Sequence, residues 1–209
     1  MHLHQLLSSI VKDTNTHAKW LNTLSYMENA GARKISASEH KEEVTLLILK
    51  HAAEEHRHAY YLKKQLAKLD ETLCKTYQSA ELLVPNHTRF YLNALDVEVC
   101  RYLKQHFKLS GSDLKFAAYL FVTYAIEVRA DELYPIYQEV LTENESKVTV
   151  KSIILEEEGH LEEMLNQLKE FSPDWEQHAK EIVRIEETMF AAWMSALEKF
   201  MADDVPTMN

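Results

Sequence analysis

Glycine and proline are scarce here, three and four residues in a chain of 209, against averages of about 7% and 5%. With so few breakers and so much Leu, Ala, Glu and Lys, the chain reads as all-α. Cysteine is nearly absent too. Cys74 and Cys100 are the two, and neither belongs to a Cys-x-x-Cys pair, which excludes zinc ribbons and rubredoxin-type iron sites. A reduced, cytoplasmic chain is expected. There is no basic excess: the net charge is −10 and the pI about 5.6. That disfavours nucleic acid or an anionic membrane as the main partner, although a local basic patch stays compatible with it. The opening Met1-His2-Leu3-His4-Gln5 has neither a cationic start nor an apolar run, so neither a signal peptide nor a membrane span is expected. The length suits one sizeable domain over residues 1–209.

Apolar periodicity lays out the helices. Residues 1–12 form a short amphipathic helix, and a second covers about 17–35. Ser36-Ala37-Ser38-Glu39 matches a capping box and predicts the start of a helix reaching about residue 69. Residues 70–84 are mixed, compatible with a continuing helix, and Pro85-Asn86 breaks the chain. Another helix spans about 88–107. Ser110-Gly111-Ser112 then supplies an N-cap for a helix from about Asp113, in which Pro135 is placed to introduce a kink. After a turn at 142–146 comes a helix over about 147–171. Ser172-Pro173 reads as an N-cap with proline at the first helical position, opening a packing helix over about 173–201. The tail 202–209 is expected to lie outside it.

Two of these helices carry an anomaly. Stepping by three and four through Val44, Ile48, Ala52, Glu55, His58, Leu62 and Leu66 gives an apolar stripe interrupted by a carboxylate and an imidazole. Val150, Ile153, Glu157, His160, Met164 and Leu168 repeat it. The two Glu-x-x-His pairs share one offset (157 − 55 = 102, and 160 − 58 = 102). Each is preceded by a helix with a Glu alone on its apolar face, Glu28 and Glu127, at a similar offset (127 − 28 = 99). An unpaired buried carboxylate costs several kcal/mol, so inward acids need a balancing charge. Oxygen and imidazole donors suit iron and manganese, with zinc a wrong guest.

One Glu from each of two helices, and Glu-x-x-His from each of two more, resembles the ferritin-like di-iron carboxylate superfamily. That group includes rubrerythrins, ribonucleotide reductase small subunits, bacterial multicomponent monooxygenases and tRNA hydroxylases. The resemblance spans about 17–171 and is carried by Glu28, Glu55, His58, Glu127, Glu157 and His160. It implies an all-α, ferritin-like four-helix bundle with flanking helices, in which 70–112 forms the long crossover. It also implies that those six residues hold two iron ions, two manganese ions or a mixed pair. The activity implied is an oxidase or hydroxylase that activates O₂ or peroxide on a small-molecule substrate, fed by an external electron donor. Ferritin itself fits less well, since its centre has one Glu-x-x-His. Rubrerythrin fits the ligands, but its rubredoxin module is missing. A rubrerythrin-like peroxide-reducing or metal-handling protein is the alternative, and a non-enzymatic helical partner protein with structural acids is the second.

Other residues compete for roles. Glu132 also has apolar neighbours at helical spacing, but Glu127 aligns better with Glu28. His51 shares the Glu55 face, where a packed or supporting histidine is favoured over an extra ligand. Asp131 follows Glu127 by four and could hold the far nitrogen of a ligand histidine, or be an exposed acid. Tyr61 reads as a core tyrosine. Glu54, Glu156, Glu158, Glu162 and Glu163 read as solvated faces. The Met and Trp stripe of the last helix suits the core or a subunit contact, which leaves a homodimer open.

Overall fold

A computed structural model describes residues 3–203. Among them lie seven α-helices and no strand: α1 (Leu3–Lys12), α2 (Thr14–Ser38), α3 (Leu46–Leu66), α4 (Pro85–Phe107), α5 (Gly111–Glu143), α6 (Lys151–Phe171) and α7 (Trp175–Asp203). The all-α expectation holds. None of these helices is long and apolar enough to cross a membrane.

Local chemistry sets the boundaries, and several differ from expectation. The capping-box stretch does not open α3. It ends α2, whose C-cap is Glu39, and α3 is instead capped by Thr45, whose hydroxyl accepts from the Ile48 amide at 3.3 Å. Asp13 caps α2 in the same way at 2.8 Å. Proline stands in the first turn of α4, where its missing N–H costs nothing. Ser110 sits at the N-cap of α5 without a side-chain bond. Ser172 closes α6 rather than opening α7, which starts at Trp175. Between α3 and α4 only Ser79–Glu81 is helical, as one 3₁₀ turn. Of the tail, Ala202 and Asp203 belong to α7, and 204–209 lie outside the described residues.

Helix α2 packs along α3, α5 along α6, and α2 also meets α5. Helices α4 and α7 pack on each other and against α5, and α1 lies against α2 and α5. Two apolar clusters result. One gathers Trp20, Tyr91, Tyr137 and Trp193, with the Trp20 and Trp193 rings stacked at 5.7 Å between centroids. The other joins Leu95 and Val99 of α4 to Phe121 of α5, Met164 and Leu168 of α6, and Ile182 of α7. The α7 stripe is therefore core. Ile126 packs against both clusters, so its neighbour Glu127 sits where they meet.

Candidate metal centre

The four helices α2, α3, α5 and α6 each turn a charged or titratable residue inward. Helical spacing puts Glu55 above His58 on α3 and Glu157 above His160 on α6. Glu55 is 8% exposed, Glu127 2%, Glu157 3%, and both histidines 2%. Glu28 is half-buried and accepts a hydrogen bond from the Tyr134 hydroxyl. Glu28, Glu55, His58 and Glu157 bring one donor atom each to within 4.8 Å of one another. Glu55, Glu127, Glu157 and His160 do the same. The groups share Glu55 and Glu157, so they are neighbouring clusters with two carboxylates common to both. Among the described residues no Lys or Arg pairs with any of these four acids.

The histidines are held from behind. His58 Nε2 lies 2.8 Å from Glu156 Oε2, and His160 Nε2 lies 2.8 Å from Glu54 Oε2. A carboxylate only accepts, so each Nε2 carries the hydrogen and each Nδ1 turns inward. His160 Nδ1 is 3.2 Å from Glu157 and 3.6 Å from Glu127. His58 Nδ1 is 3.0 Å from Glu157 Oε1, but off the line a hydrogen bond needs, which leaves it a buried nitrogen without a hydrogen-bond partner. The support is reciprocal, because Glu54 of α3 holds the histidine of α6 and Glu156 of α6 holds that of α3. Arg57 in turn contacts Glu156 at 2.6 Å.

Protons compensate part of the crowded charge. Burial, then the Glu28 charge and a hydrogen bond with Glu28, push the Glu55 carboxyl well above its usual range. Burial and the facing Glu157 do the same to Glu127. Burial would raise Glu157 as well, but contacts with Glu127, His160 and His58 outweigh it and hold this carboxyl low. Burial would lower His58, yet the contact with Glu157 and the charges of Glu28 and Glu157 bring it up to about 9. Burial is likewise outweighed by Glu157 and Glu54 at His160, which is raised. These protons stand where cations could.

All six residues singled out in the sequence meet at this centre. Glu132 does not: it is exposed and pairs with Arg129. Asp131 is exposed as well. His51 is buried outside both groups, 2.8 Å from the Tyr119 hydroxyl and 2.8 Å from Glu163. Tyr61 donates to the Thr149 carbonyl at 3.0 Å. Glu54, Glu156 and Glu163 correct the solvated-face reading, since each holds a buried histidine. The signal for two of them was present: Glu54 and Glu156 precede the inward Glu of each motif and share its offset (156 − 54 = 102). Tyr134 lies at helical spacing from Glu127 on the same stripe, but its bond to Glu28 depends on how α2 meets α5.

Beside the acids lies a cavity of about 320 Å³, within the small-molecule range. Glu28, Glu55 and Glu127 form part of its wall, together with apolar residues of α2, α4 and α5. No family model, curated protein or solved structure matches the chain.

Proposed function

We propose that the chain is a ferritin-like dimetal carboxylate protein, an oxidase or hydroxylase that uses O₂ or peroxide on a small organic substrate. The observation that carries the reading is the pair of four-donor groups sharing Glu55 and Glu157. One Glu from each of two helices with Glu-x-x-His from each of two more is the donor set by which helix bundles hold a metal pair. The residues fit the group. The donors are carboxylate oxygen and imidazole nitrogen, the match for iron or manganese, and the buried His58 Nδ1 lies in the cluster without a hydrogen-bond partner.

Glu28, Glu55, His58, Glu127, Glu157 and His160 would hold the two ions. Held there, the ions would supply redox chemistry toward dioxygen or peroxide. The protein's residues do the rest. Glu156 and Glu54 fix the histidine rings and keep Nε2 protonated. The Tyr134 hydroxyl holds Glu28 in place. Glu55, Glu127 and Glu157 are little exposed to water, which strengthens the electrostatics of the site. Electrons would come from an external donor. The adjoining cavity favours an organic substrate over the peroxide-reducing alternative, which needs no such space.

Anaerobic loading with iron(II), followed by a pulse of dissolved oxygen, tests this. Oxygen uptake should exceed that of free iron and should be lost in Glu127→Gln and His160→Ala. Uptake no faster than free iron, with oxygen or with peroxide, overturns the reading.

A further inference from the structure

The cavity is long, and its most exposed wall residues gather toward one end. On α2 its wall runs from Leu24 to Ser38, or about 21 Å at the helical rise of 1.5 Å per residue. On α4 it runs from Tyr91 to Cys100, and on α5 from Lys115 to Tyr134. Leu24, Tyr91 and Leu133 share one apolar cluster, while Ile35, Leu95 and Tyr119 share the other. The residues thus sort along one axis. The Leu24 end is closed, as Leu24, Tyr91 and Leu133 are all buried. The opposite end meets solvent, where Lys115 is exposed and Ser38 and Cys100 are half-buried. Glu28 and Glu127 line the stretch between.

The polar heads on the wall are already engaged. The Tyr119 hydroxyl is bound to His51, that of Tyr134 to Glu28, and that of Tyr91 to Glu186. Arg129 is held by Glu186 at 2.8 Å. Lys34 is spent on Asp96 and on the Leu92 carbonyl, tying α2 to α4. A molecule entering past Ser38 therefore meets mostly carbon. A polar substrate would shed water and gain few hydrogen bonds in return, whereas an apolar one gains by leaving water.

We propose that this cavity binds a slender, largely apolar molecule end-on, with its chain along Glu28 and Glu127 and its one polar end left at the open mouth by Lys34, Asp96 and Lys115. The proposal deepens the dimetal reading, which supplies the chemistry done on that chain, but the binding itself uses the walls alone. The mostly apolar wall and the volume of about 320 Å³ argue against nucleotides and macromolecular substrates.

Cys100 lines the mouth and reports occupancy, while buried Cys74 lies off the cavity and serves as an internal control. The purified full chain is alkylated with iodoacetamide, and the modified peptides are followed by mass spectrometry with 1-decanol, with adenosine monophosphate, or with neither. Decanol should slow alkylation of Cys100 about tenfold when free decanol is about ten times its Kd, and adenosine monophosphate should leave it unchanged. Val122→Trp, on the cavity wall and away from the acids, should abolish protection by decanol at unaltered metal content. Ala118→Phe replaces it should that variant fail to fold. An unchanged Cys100 rate with decanol, or equal protection by adenosine monophosphate, overturns the proposal. Metal content measured on the same samples separates the two readings. Metal without decanol protection sinks the cavity assignment alone, and protection without metal sinks the dimetal reading alone.

Discussion

At the residue scale, function would rest on which nitrogen of each histidine faces inward, and Glu54 and Glu156 decide that. Glu54→Gln and Glu156→Gln should each weaken metal binding about 10–100-fold, the usual effect of losing a partner that orients a ligand histidine. His58→Ala should lose metal outright, whereas exposed His56→Ala should not. Equal affinity in all four variants, measured by competition with a chromophoric chelator, would contradict the assignment. His17 offers a test away from the centre. It is 1% exposed, with Nε2 2.7 Å from the Tyr137 hydroxyl, and burial lowers its pKa to about 4. The unfolded chain binds this proton from about pH 6.5 downward and the folded chain does not. The folded protein should therefore lose up to about 3 kcal/mol as pH falls from about 6.5 to 4, with no further loss from this group below that. His17→Gln should flatten that part of the stability curve, as read by urea melts at several pH values. An unchanged slope would mean that His17 is not kept neutral.

At the scale of the helix, the periodicity of the inward stripes was legible because a misplaced acid in a core is expensive. The ends were less so. Ser36-Ala37-Ser38-Glu39 satisfies the capping-box pattern yet stays helical through Ser38, because the apolar face of α2 still packs at Ile35. Thr45 was the true cap and carries no comparable signature. Tertiary packing outweighed local preference, as it generally can. Helix α4 ends at Lys108 in the left-handed region, with φ 56°, its amide bonded to the Lys104 carbonyl. A side chain is strained there and glycine is not. Lys108→Gly should therefore raise stability by about 1 kcal/mol, measured by denaturant unfolding. A loss of stability would show that the exposed lysine contributes more than its backbone costs.

At the scale of the whole molecule, the acids oppose folding unless something neutralises them. Glu55 and Glu127 have raised folded pKa values, and His58 is brought up to about 9. In each case the folded protein holds a proton more tightly than the unfolded chain, so stability falls as pH climbs from each unfolded pKa to the folded one. The metal-free protein should therefore lose stability as pH climbs from mildly acidic values, with the His58 share of that loss complete near pH 9. The loaded protein should not follow that fall, and it should gain about 4 kcal/mol where free metal is a thousandfold above Kd. Replacing Glu28 and Glu127 together by Gln should raise the metal-free stability at neutral pH and abolish tight binding. Melting curves that ignore both metal and the Gln pair would favour structural acids in a partner protein. How the two helix pairs close on each other, which brings Tyr134 to Glu28 and opens the cavity, depends on contacts far apart in the chain and left no local mark in the sequence. The two-ion claim is tested most directly by anomalous scattering from crystals of the iron-loaded protein. Two peaks on the order of 3.5–4 Å apart should lie among Glu28, Glu55, His58, Glu127, Glu157 and His160, and iron found only at the surface, or a single ion inside, would contradict a paired centre.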